Sequence, residues 1–103
     1  MYQTVLCNCP SKDIAVDIAK RLVRDKLAAC VNVIDNVSSI YQWQGDVVED
    51  IEVTLIIKTK ASVFDQLATT IESMHPYDVA EIIAFDINQG SQQYLAWINE
   101  TVK

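Results

Sequence analysis

Hydrophobic and polar positions repeat along this chain with two different periods. Ile51, Val53, Leu55 and Ile57 alternate with Glu52, Thr54 and Lys58, the two-residue period of a strand with one apolar face. This run belongs to the return limb, Val47 to Thr59, of a long hairpin predicted from Ser39 to Thr59 that turns near Gly45 and Asp46. A limb of nine or more residues spans about 30 Å at roughly 3.4 Å per residue, beyond the usual strand, so part of it is expected to overhang its own domain. Elsewhere the period is helical. Ile14, Ile18 and Leu22, flanked by Ala15, Ala19 and Val23, predict a helix from Lys12 to Lys26 capped by Ser11. Val63, Leu67 and Ile71 with Phe64 and Ala68 predict a second helix, which stops at His75 because Pro76 disfavours helical geometry in the residue before it. Tyr94, Leu95, Trp97, Ile98 and Val102 predict a terminal helix restarting at Gly90 and Ser91. Apolar runs at Thr4–Cys9, Leu27–Val33 and Glu81–Asp86 read as further strands. The order gives an α+β fold: a ferredoxin-like βαββαβ sandwich with a long β-hairpin and an added C-terminal helix.

Composition narrows the function classes. A chain of 103 residues, half of them apolar, forms one domain spanning residues 1–103. Fourteen acidic against eight basic residues argue against a nucleic-acid partner. Lys20, Arg21, Arg24 and Lys26 are interleaved with Asp13, Asp17 and Asp25, as on a solvated helix face. No apolar run reaches the length of a bilayer span, and the N-terminal MYQTVLCNCP enters a strand with no signal-like pattern, so a cytoplasmic location is expected and no membrane partner. Three cysteines cannot all pair within one chain and are expected as free thiols.

Candidate chemistry gathers at Ser73–Phe85, SMHPYDVAEIIAF, which holds the only histidine. His75 and Tyr77 either contribute a site or close a turn, and Glu81, heading an apolar strand, needs a partner if buried, with Lys58 the first candidate. Cys7 and Cys9 share one strand face, either as small buried hydrophobes or as soft metal ligands. Their spacing, with no second cysteine pair, is not that of a closed zinc site. Thiolate plus imidazole, with the thioether of Met74, suits copper before magnesium or calcium. An enzyme is not expected: two glycines form no phosphate cradle, and no nucleophile elbow occurs. Cys30 with His75 is a thiol–imidazole pair that no spacing selects. Tyr41 and Trp43 on the hairpin and Tyr94 and Trp97 on the last helix are either core or contacts between subunits.

LAACVN (Leu27–Asn32), SIYQWQG with IIKT downstream (Ser39–Gly45, Ile56–Thr59), HPYDVAEIIA (His75–Ala84) and YLAWI (Tyr94–Ile98) together resemble the CutA family of divalent-cation tolerance proteins, in order, spacing and nearly full length. The resemblance implies a ferredoxin-like subunit in a tight PII-like homotrimer, cytoplasmic in bacteria, associated with tolerance of copper and other divalent metals such as zinc. It implies metal ligation at Cys7 and His75, while Tyr41, Trp43, Lys58, Tyr77, Glu81, Tyr94 and Trp97 are the candidates for a ligand or interface cleft. Two positions depart from the pattern. Met74 stands where some members carry a second histidine, which weakens a Cu(II) site and keeps Cu(I), and Ala80 stands where proline usually precedes the strand glutamate. Cys9 is outside the family pattern. The alternative reading is a non-catalytic signalling or scaffold trimer whose clefts bind a small molecule or a protein partner, with metal binding incidental. A small hydrolase on the same sandwich would lack an anion cradle.

Overall fold

In a computed structural model describing residues 1–103, strand β1 (Tyr2–Cys9) runs through the middle of a single antiparallel sheet. Helix α1 (Lys12–Arg24), strands β2 (Cys30–Trp43) and β3 (Asp46–Lys60), helix α2 (Phe64–Met74), strand β4 (Ile82–Asp86) and helix α3 (Gln92–Thr101) follow. The sheet order is β2-β3-β1-β4, every pair antiparallel, which is the ferredoxin-like arrangement expected from the element order.

Register decides which residues are core. Val5, Cys7 and Cys9 lie opposite Ile57, Leu55 and Val53, and all six are buried beneath the helices. Helix α1 presents Ala15, Ile18, Ala19 and Leu22 to this face, while α2 adds Leu67 and Ile71. Ser11 caps α1 through a bond from the Ile14 N–H, as its sequence position predicts. The alternate face carries Leu6 between Ile56 and Ile83, with Phe85 opposite Thr4, and α3 reaches it at one end through Tyr94 on Cys30 and the Asn99 carbonyl on Lys60. On that face Phe85 is 54% exposed.

Two expectations change. The strand expected from Leu27 starts only at Cys30, and it is continuous with the first limb of the hairpin as one strand, β2, interrupted only by a bulge between Ile34 and Val37 where Asn36 takes a positive φ of 59°. Asparagine tolerates that left-handed geometry, and the insertion bends the ribbon. Helix α1 also ends two residues early, at Arg24, because the chain turns through Lys26 at φ 58°. The overhang is found as expected: β1 pairs with β3 only as far as Cys9–Val53, whereas β2 and β3 continue together from Val37–Glu52 to Trp43–Asp46.

Thr59 is fully buried, and its hydroxyl donates to the Leu27 carbonyl at 2.6 Å, fastening the α1–β2 connection to β3. Thr59→Val keeps the shape and leaves that carbonyl without this donor, so urea unfolding should show a loss of about 1–3 kcal/mol.

Candidate metal centre and the adjoining acidic cleft

The end of α2 and the end of β1 meet at His75. The histidine leaves the helix in extended geometry, at φ −84° and ψ 135°, as a residue before proline should. Its ring is only 7% exposed and lies beside the C-terminal half of β1. Nε2 is 2.7 Å from the Asn8 carbonyl, which can only accept, so Nε2 carries the hydrogen and donates. Nδ1 then holds the lone pair and accepts the Tyr77 N–H at 3.2 Å. His75 and Tyr77 therefore do close a turn, with ring centroids 4.7 Å apart.

The same placement brings the imidazole to the two thiols of β1. One ligand atom from each of Cys7, Cys9 and His75 falls within 4.8 Å of the other two. The cysteines are fully buried, and neither is in a disulfide. The neighbouring Cys9 sulfur, then burial, pushes the Cys7 thiol far up, while the hydrogen bond from Cys7 holds Cys9 below its ordinary value. Two sulfurs and one nitrogen without a carboxylate form a soft donor set, which fits copper or another thiophilic ion and not a hard one. The Nε2–H bond to a backbone carbonyl is the outer contact that commonly orients a ligating histidine. Met74 packs on the apolar core.

On the other side of Tyr77 lies an open cleft of about 760 Å³ between the overhanging hairpin and the segment Pro76–Glu81. Its rim and floor carry Asp50, Glu52, Asp78 and Glu81 together with Tyr41, Trp43 and Tyr77, and no lysine or arginine. Glu52 is the residue that periodicity misplaced. It sits on the polar parity of β3, yet it is 93% buried by the 7% exposure it retains, because Tyr77 folds over it and donates to Oε2 at 2.9 Å. Only the return of a distant loop creates that burial, so no local signal in the sequence could have revealed it.

The remaining candidates separate. Glu81 does not enter β4 and is exposed; its carboxylate accepts from the Asn8 side chain at 3.2 Å. Lys58, expected as its partner, bonds Asn32 across the β2–β3 pair instead. Cross-strand neighbours outcompete a residue two strands away. Tyr41 donates to Asp50, and Trp43 is 58% exposed at the hairpin tip. Tyr94 and Trp97 form a tilted pair at 5.6 Å on α3, away from the cleft, and the Tyr94 hydroxyl lies 3.5 Å from the Cys30 sulfur. Cys30 thus contacts tyrosine, not His75.

With this geometry established, residues 3–101 match the family described as CutA1 divalent ion tolerance protein. The chain belongs to that family. The divalent-cation tolerance protein CutA of Thermus thermophilus is 46% identical over 100 residues, which is 97% of either chain. A solved structure of the Thermus protein superposes with a TM-score of 0.98 over the whole of both chains at 45% identity. Human protein CutA is 43% identical over 92% of this chain, which spans 53% of the human protein. The CutA from Archaeoglobus fulgidus, described as periplasmic, superposes with a TM-score of 0.97 at 36% identity over the whole of both chains. No helix of this CutA-family chain is long and apolar enough to cross a membrane.

Three phenols of this CutA-family protein are held back from ionising. The bond to Asp50 raises Tyr41, burial and then Glu52 raise Tyr77, and the Cys30 contact with burial pushes Tyr94 up to about 12. A raised phenol value favours the neutral ring in the folded state, so its stabilisation is complete below pH 10 and is lost as pH climbs through the folded value. Phenolate absorbance should show Tyr94 half-ionised near pH 12 in folded protein, and all three phenols near pH 10 in denaturant.

Proposed function

We propose that this CutA-family chain is a non-catalytic, trimeric, cytoplasmic copper-binding protein acting in tolerance of metal ions. The observation that carries the copper reading is the convergence of Cys7, Cys9 and His75 within 4.8 Å as a buried, soft donor cluster. Softness selects copper over calcium and magnesium, and the Irving–Williams order places it above nickel and cobalt, with zinc behind it. Free thiols at all three cysteines support a reducing compartment.

Trimerisation is supported by surface that one subunit cannot bury. The hairpin beyond Val37 carries Ile40, Trp43, Val47 and Ile51 in exposed positions, and the sheet face opposite α1 and α2 exposes Ile83 and Phe85. A long apolar ribbon and exposed apolar sheet residues are aggregation hazards unless another chain covers them, and closed symmetry does this for every copy. A second reading, a scaffold trimer binding a small molecule or protein partner, is favoured by the cleft lined with Tyr41, Trp43, Tyr77 and four carboxylates.

Light scattering at micromolar concentration should give three times the 11.6 kDa subunit mass. Trp43→Ala should weaken the assembly more than Lys12→Ala, which removes only an exposed ion pair with Asp35. A monomer would overturn the trimer.

Isothermal titration of the reduced protein should show copper bound more tightly than zinc, nickel or cobalt, with affinity reduced in Cys7→Ser and in His75→Ala. Equal copper affinity in all three proteins would leave the scaffold reading.

A further inference from the structure

The family resemblance implies metal ligation at Cys7 and His75 and leaves Cys9 outside the pattern. The geometry points to a different arrangement, one that rests on the copper-binding reading above: Cys9 is a third ligand, and each subunit alone holds one monovalent copper ion between two sulfurs and one nitrogen. The three donors come from two adjoining elements of a single chain, the end of β1 and the residue that stops α2.

Positions two apart on a strand share a face, so Cys7 and Cys9 both point under the helices, on either side of Asn8. The Asn8 carbonyl between them takes the His75 Nε2–H, which fixes the ring against the same stretch of strand and leaves the lone pair on Nδ1. For the ring to ligate, one bond must be given up: the 3.2 Å contact from the Tyr77 N–H if Nδ1 binds, or the 2.7 Å bond to the Asn8 carbonyl if the tautomer shifts and Nε2 binds. The Tyr77 N–H lies in Pro76–Glu81, a segment in neither helix nor strand, so its donor can turn away without breaking a ladder.

The coordination number selects the oxidation state. Cu(II) prefers a tetragonal set of nitrogen and oxygen donors, and zinc a tetrahedron with a fourth ligand. Here the carboxylates of Glu52 and Glu81 line the cleft and are not among the clustered donors. A closed-shell Cu(I) ion accepts three soft donors in an apolar surround, and Val53 and Leu55 lie directly opposite Cys9 and Cys7 on β3. On binding, two copper–sulfur bonds and one copper–nitrogen bond form, two thiol protons leave to solvent, and no electron is transferred.

The test is anaerobic titration of the reduced full chain with Cu(I) against a competing chromophoric Cu(I) chelator, for wild type, Cys9→Ala and Cys7→Ser. X-ray absorption on copper-loaded wild type counts the sulfurs. The expected result is one Cu(I) per subunit, two sulfurs on the metal, and affinity lowered about 100-fold or more in Cys9→Ala, since loss of a ligand should exceed the loss of an outer contact. Unchanged affinity in Cys9→Ala with one sulfur on the metal would overturn the assignment of Cys9 and leave copper at Cys7 and His75 standing. One ion per trimer would overturn the subunit-internal site. No copper on wild type would overturn both readings. Should Cys9→Ala fail to fold, the sulfur count on wild type decides alone.

Discussion

The register of β1 against β3 is the constraint on which both halves of the molecule depend. Pairing Cys7 with Leu55 and Cys9 with Val53 sets both thiols on the helix-covered face. A slip of one residue would send them to the opposite face and bring Leu6 and Asn8 inward, since strand side chains alternate with a period of two. The same register leaves β3 longer than β1, so everything beyond Cys9–Val53 becomes a two-stranded ribbon without a sheet of its own. One pairing therefore produces the interior donor cluster and, at its end, the floor of the cleft.

His75 couples those two places. Its Nε2–H holds β1 through the Asn8 carbonyl, and its Nδ1 holds the Tyr77 backbone, which swings the phenol over Glu52 on the ribbon. Three backbone segments far apart in sequence are joined through one imidazole and one tyrosine. The buried carboxylate of Glu52 accepts from Tyr77, while Asp50, Asp78 and Glu81 stand around the same opening without a cation. Such a field repels phosphates and favours positive charge, consistent with the acidic balance of the whole chain.

Much of this was legible before any coordinates. Period and punctuation located every helix and the hairpin, because Ser11, Pro76 and Ser91 act locally on backbone geometry. The overhang followed from length alone. The polar partners were less legible: Lys58 went to Asn32, Glu81 to Asn8 and Cys30 to Tyr94, each chosen by register or by helix docking and not by sequence distance. Glu52 shows the limit most clearly. Alternation assigns it to the solvent face, and only the loop carrying Tyr77 covers it.

Thiols and imidazole contribute to the metal-free fold in unlike ways. A buried free cysteine packs as a small hydrophobe, so Cys7 and Cys9 fill core space with no polar partner required. A buried imidazole has two polar nitrogens, and its burial is tolerable because backbone groups satisfy both. Removing the ring takes the imidazole donor from the Asn8 carbonyl and the acceptor from the Tyr77 N–H together, and so disturbs β1, the loop and the cover over Glu52 at once. Removing a thiol leaves only a small void. The two kinds of donor thus separate ligation from folding: a change in metal binding after a cysteine is shortened reports on the metal, whereas the same change after the histidine is lost also reports on the clamp that holds the site together.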